Sequence, residues 1–402
     1  MKMKTNGFIG IAVTIMANVV LGGGKTTYTV VDTGQRQCYD ESREIACPSA
    51  DSHFSGQDGQ YAGIQPAYRD NGDGTVSDLH TGLMWQKNPG RKMTYDQAVV
   101  GNRTFRLAGY SDWRLPTIKE LYSLIRFDGL DPMPTLRDER GLKPFIDNSV
   151  FKFHYGKEED GDRIIDSQYA SATLYTGPSM GPDGRKVFGV NFADGRIKGY
   201  GTRMPGRGEK RFYVMFVRGN PEYGKNRFVD NGDGTVTDQA TGLMWQQADS
   251  GKGMNWADAL GYAGTLHVAG HADWRLPNAK ELQSIVDYTR SPDATGSAAI
   301  DPVFRASTIR NEAGQVDYPS YWTSTTHVSM NGLGDRAVYL TFGRAMGYMH
   351  GHWRDVHGAG SQRSDPKAGN PADYPQGRGP QGDAIRILNY VRCVRLNTLP
   401  RR

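Results

Sequence analysis

Residues Asp70–Gln86 read DNGDGTVSDLHTGLMWQ, and residues Asp230–Gln246 read DNGDGTVTDQATGLMWQ, 160 positions later. A second pair follows in the same order. LAGYSDWRLPTIKELYSLI (Leu107–Ile125) returns as VAGHADWRLPNAKELQSIV (Val268–Val286), now 161 positions on. Two long matches at one spacing mean that a whole domain is duplicated, because the period far exceeds that of a solenoid repeat. Each copy reads the same way. The NGDGT tract carries Asn-Gly and Asp-Gly turn signals between Thr/Val flanks, which predicts a hairpin. TGLMW then enters the core with Trp85 and Trp245. Thr94 with Gln97, and Asn255, cap a first helix. Thr117 follows Pro116 and precedes Glu120 by three residues, which predicts a second. Leu121, Leu124 and Ile125 share one face of it, as do Leu282, Ile285 and Val286. Val187–Phe192, Tyr213–Val217, Ala337–Phe342 and Tyr390–Val394 read as strands. The expected class is α+β, with two short helices and a small antiparallel sheet per copy.

Around the repeat, the 402 residues divide further. Lys2 and Lys4, an apolar run from Phe8 to Leu21 and then Gly22–Gly24 resemble an export leader, expected at 1–24. No other segment is apolar enough to span a membrane, and mean hydropathy is −0.60. A separate N-terminal module is expected at 25–67, the first copy at 68–218, a linker near Gly219–Lys225 and the second copy at 226–396. The Gly/Pro/Asp-rich stretch 356–384 is expected to be a surface insertion of the second copy. Export permits a disulfide, and the short spacing favours Cys38 with Cys47. The alternative joins Cys393 to one of them. The expected location is exported: periplasmic, cell-surface or extracellular.

The tracts DNGDGTVTD, TGLMWQ and DWRLPNAKEL resemble the Lcl C-terminal domain family, in both copies. The resemblance implies a C-type-lectin-like fold, distantly similar to the formylglycine-generating enzyme. It also implies an adhesin-like role toward sulfated polysaccharide. Formylglycine-generating enzymes use a cysteine pair, whereas the first copy has no cysteine and the second only Cys393. No HExxH occurs, and HGAG at His357–Gly360 is a Gly-rich tract. The expectation is therefore a non-catalytic protein.

Four groups of residues are candidates for chemistry. Asp70, Asp73 and Asp78, with Asp230, Asp233 and Asp238, superficially resemble a calcium loop. Calcium is thus the candidate cofactor, but the spacing departs from the EF-hand pattern, no closing Glu exists, and a hairpin turn explains the tract equally. In DWRLP, Trp113 and Trp274 could stack on a sugar beside Asp112–Arg114 and Asp273–Arg275, or could form a buried Trp with a buried Asp–Arg pair. In MHGHWRDVHG, found only in the second copy, His350, His352 and His357 could ligate a metal or line a polar site. Arg196–Arg227 holds nine Lys/Arg against two Asp/Glu, and Arg354–Arg402 nine against four. Such clusters attract anionic polymers. Arg344, His350, His352, Trp353 and Arg354 are the candidate ligand contacts. The expected partner is an anionic glycan or surface polymer, with an envelope protein complex as the alternative; no nucleic-acid motif occurs. Two linked domains would add avidity.

Overall fold

The computed structural model of the protein describes residues 26–50, 52–178, 184–204, 206 and 208–396. The leader expected at 1–24 lies outside the described residues. Among the described residues, no helix is long and apolar enough to cross a membrane. The fold is mixed α and β, with small antiparallel sheets and few helices.

The first copy opens on a meander of β1 (Tyr68–Asp70), β2 (Thr75–Asp78) and β3 (Leu83–Gln86). Helices α1 (Tyr95–Thr104) and α2 (Ile118–Ser123) follow. Three longer strands come next: β4 (Gln168–Leu174), β5 (Lys186–Asn191) and β6 (Arg196–Gly201). Strand β7 (Val217–Gly219) returns to pair with β3. The second copy repeats the plan with β8 (Phe228–Asp230), β9 (Thr235–Asp238), β10 (Leu243–Gln246), α3 (Trp256–Thr265) and α4 (Ala279–Ser284). Then come β11 (Ser320–Thr326) and β12 (Arg336–Thr341), and a hairpin of β13 (Met346–Met349) and β14 (His352–Asp355). Strands β15 (Gln362–Pro366) and β16 (Val394–Arg395) complete it.

The predicted turns and caps form as their chemistry dictates. Gly72 and Gly74 take positive φ in the first hairpin, where a side chain would be strained. Thr94, Thr117 and Asn278 form capping boxes with Gln97, Glu120 and Glu281, and Asn255 accepts from the Asp258 amide. Trp85 sits in register between Val76 and Val217, and Trp245 between Val236 and Val394. Both indoles are fully buried.

The copies do not behave as two modules on a linker. Their three-stranded sheets join edge to edge in one six-stranded sheet, ordered β11-β12-β15-β6-β5-β4. The join pairs Ile197 of β6 with Gln362 of β15. These strands hold corresponding places in the two copies, so a pseudo-twofold axis passes through the join. Helices α2 and α4 also meet across this axis. There the Lys119 ammonium donates to the Ser284 carbonyl at 2.7 Å, and Lys280 donates to the Ser123 carbonyl at 2.8 Å. Lys119 and Lys280 occupy the same position of the KEL tract, and Ser123 and Ser284 also correspond. Lys119 additionally binds the Gly224 carbonyl and the Asn226 side chain, tying down the expected linker.

Two boundaries differ from expectation. Residues 26–67 do not stand apart as a separate module. Gln35 bonds the carbonyls of Phe127 and Thr326, one from each copy. The Asp58 carboxylate accepts from Thr33 and Thr325. The stretch 356–384 is not wholly a surface insertion, because β15 runs through it in the middle of the sheet and is largely buried. Its sequence, QRSDP, lacks apolar alternation; the ladder to β12 positions it. The Cys38–Cys47 disulfide forms as the spacing favoured, and Cys393 is free and buried.

Burial pushes the Lys119 ammonium down to about 8 and that of Lys280 down to about 7. Lysine in an unfolded chain titrates near about 10.4. Between these values the unfolded chain binds protons that the folded chain has released, so stability from these groups rises with pH and is lost as pH falls through about 8 and 7. The urea midpoint of Lys119→Met and Lys280→Met should therefore climb less than that of the native protein between about pH 7 and 9. Identical slopes would refute a buried, proton-releasing pair.

Candidate functional site

The DWRLPxxKEL tract is occupied by its own folding. The Trp113 and Trp274 ring N–H groups donate to the Leu107 and Val268 carbonyls, with the rings buried. The expected Asp–Arg pairs within the tract are not made. Arg114 instead forms a fork with Glu120, and Arg275 with Glu281. Asp112 pairs with Arg218 and Asp273 with Arg395, each tying the tract to the copy's last strand. Two-point guanidinium–carboxylate geometry explains this choice of partners, because it satisfies both groups at once.

The acidic tracts are likewise turned inward on their own backbone. Asp73 accepts from the Thr75 amide and hydroxyl, and Asp233 from those of Thr235. Asp70 and Asp230 accept from the Gly72 and Gly232 amides. Asp78 and Asp238 are buried and accept amides of the following turn. Among the described residues, no group of three or more His, Cys, Asp or Glu could hold a metal ion.

The second-copy contacts do not converge either. Arg344 is spent on Asp293 at 2.5 Å, with Asp317 beside it. His350 and His352 are exposed on the β13–β14 hairpin, and His350 takes a φ of +53° at its turn. Trp353 is half-buried, edge-on to Tyr348, and Arg354 is half-buried beside it. His357 is buried elsewhere and bonds Asp383 at 2.7 Å.

A different set of basic residues does come together. On the β6–β15 join, Ile197 faces Gln362, so Arg196, Lys198 and Arg363 project from the opposite face of the sheet. With Arg336 from β12 and Arg378 from the loop after β15, they line a cleft of about 300 Å³. Five cations there face three carboxylates, Asp131, Asp194 and Asp383. Arg196 is bound to Asp131 at 2.6 Å and lies beside Asp194. Burial alone would raise the Asp131 carboxyl, but Arg196 overrides it and holds it at about 2. Arg363 pairs with Asp383 through one nitrogen, while its other terminal nitrogen is buried without a hydrogen-bond partner among the described residues. Arg336 and Arg378 have no carboxylate partner among the described residues. Burial and the neighbouring Arg363 push Lys198 down to about 7, and burial with Arg196 pushes Arg363 to about 10. Burial, and then Arg378, also lower Arg336. Burial is the larger cause of all three shifts, and the neighbouring cations add to it; an anion would relieve that second part.

Four of the five cations, all but Arg336, lie in the two basic segments visible in the sequence. Nothing in the sequence pairs β6 with β15, so their convergence was not legible there.

The Lcl C-terminal domain family matches the chain over residues 74–218 and again over 234–357. These segments span well over half of the chain, and it belongs to that family. No curated protein and no solved structure matches it. The structural repeat runs beyond the second matched segment, since β16 closes the β10 sheet at Val394–Arg395.

Because the Asp73 and Asp233 carboxylates each serve two local donors, Asp73→Ala and Asp233→Ala should each lower stability by about 1 kcal/mol. The melting temperature of the native protein should be the same with excess calcium and with chelator. A rise in calcium that vanishes in these variants would instead support calcium binding at these turns.

Proposed function

We propose that this member of the Lcl C-terminal domain family is an exported, non-catalytic binding protein for an anionic surface polymer, such as a sulfated or carboxylated polysaccharide. The observation that carries the reading is the cleft on the pseudo-twofold axis, where Arg336 and Arg378 face solvent-accessible space without an ion-pair partner among the described residues. A guanidinium offers paired donors that match sulfate and carboxylate. Crowded like charges attract an anion more strongly than scattered ones. Two helices set against a small antiparallel sheet in each copy suit a C-type-lectin-like unit. The Cys38–Cys47 disulfide favours export into an oxidising compartment. A non-catalytic role is supported by Cys393, whose thiol is buried and pushed well up by that burial, away from nucleophilic use. Both copies contribute to the cleft, so the duplication builds one shared site rather than two linked ones.

The test is retention on a heparin column under a salt gradient. The native protein should bind and elute with salt, since exposed charge interactions are screened. Arg336→Ala and Arg378→Ala should each weaken binding by about tenfold, the order expected for one charge-assisted contact. His350→Ala and His352→Ala should elute with the native protein. No retention, or elution of the arginine variants at the native position, would overturn the proposal.

A further inference from the structure

A second concavity lies far from this cationic cleft in character. It opens between the disulfide-closed N-terminal segment and α3, with a volume of about 340 Å³. We propose that it is a separate binding site for a neutral ring ligand bearing hydroxyl groups, of the size of one or two sugar rings.

The floor is the bare backbone of α3. A Cβ added at Gly261 or at Gly264 would meet nothing within 4 Å. Glycine inside a helix is destabilising relative to alanine, and this ten-residue helix carries two. The corresponding positions of α1 are Val100 and Arg103. The hollow is therefore a property of the second copy and not of the shared scaffold.

The roof is Phe54, held at a φ of +64°. A bulky residue in the left-handed region is strained and persists only where its surroundings impose it. Here Gln57 donates to the Phe54 carbonyl at 2.9 Å and to the Tyr39 carbonyl at 2.9 Å, next to the disulfide. The conformation brings the Phe54 ring to 4.0 Å from the His53 ring and packs it against the α3 cluster. Tyr61, Leu260 and Trp274 complete the apolar wall.

The charge in the wall is already compensated. Arg275 is forked to Glu281 at 2.6 Å, with both side chains buried. Asp273 is held by Arg395, yet its carboxylate stays 54% exposed. Among the described residues lining the cavity, the one guanidinium, that of Arg275, is taken up by Glu281, which separates this cavity from the cleft. The lining also offers the Asp273 carboxylate, the Ser52, Ser55 and Thr265 hydroxyls and the His53 ring, beside aromatic side chains. Aromatic surface with a few convergent acceptors and donors suits a ring that presents apolar faces and hydroxyl edges.

Gly261→Leu adds a side chain at a position of the cavity lining where a Cβ meets no protein atom, and it improves helix propensity. The probes are cellobiose, maltose and chitobiose, followed by saturation-transfer NMR on the full chain. At least one should bind the native protein, and Gly261→Leu should weaken it by about tenfold or more while melting no lower than the native protein. Gly264→Leu serves as the second filling variant should the first misfold. Retention on heparin should be unchanged in both, and saccharide binding unchanged in Arg336→Ala. The proposal is overturned if none of the three probes binds, or if both filled variants bind as the native protein does.

Discussion

The reciprocal contact between Lys119 and the Ser284 carbonyl, and between Lys280 and the Ser123 carbonyl, is the constraint from which the rest of the molecule follows. An ammonium group buried at a domain junction is costly unless its donors are met. Each lysine is met by the other copy's helix end, and by further acceptors in the linker or the N-terminal segment. The copies are therefore held in one orientation. In that orientation β6 and β15 meet, and six strands form a single sheet.

Symmetry then explains where specific chemistry can arise. The tracts shared by both copies are consumed by the fold: the Arg–Glu forks, the Asp–Arg ties and the capped turns recur on both sides of the axis. Side chains so committed have little left for a ligand, except Asp273, whose carboxylate stays half-exposed at the second cavity. The unshared parts break the symmetry. The segment from Gly343 to Ser361 replaces the tight turn between β5 and β6, and its His357 carbonyl accepts from the Gly199 amide of the other copy. Arg378 and Asp383 come from the next unshared loop and close the cationic cleft. The N-terminal segment covers α3 alone and so creates the second cavity.

Much of the local structure was readable from particular residues. Thr117 and Glu120 predicted a capped helix because a side-chain cap needs only neighbours in sequence. Asn71–Gly74 predicted a turn for the same reason. Cys38 and Cys47 are close enough that chain geometry favours their pairing. Arg344, by contrast, resembled a ligand contact because Asp293 and Asp317 are remote in sequence, and only folding brings them to its guanidinium. Strand β15 resembled loop because a polar strand carries no apolar alternation to betray it.

The sequence by itself determined that a domain is duplicated, what each copy's turns, caps and buried tryptophans are, and that basic residues gather in two segments. These properties depend on neighbours within about ten residues or on identity between distant tracts. Only the tertiary structure decided that the copies share one sheet, that Arg196, Lys198, Arg336, Arg363 and Arg378 surround one cleft, and that α3 borders a hollow. Those arrangements depend on pairings between strands more than a hundred residues apart, which hydrogen-bond through backbone groups that every sequence possesses.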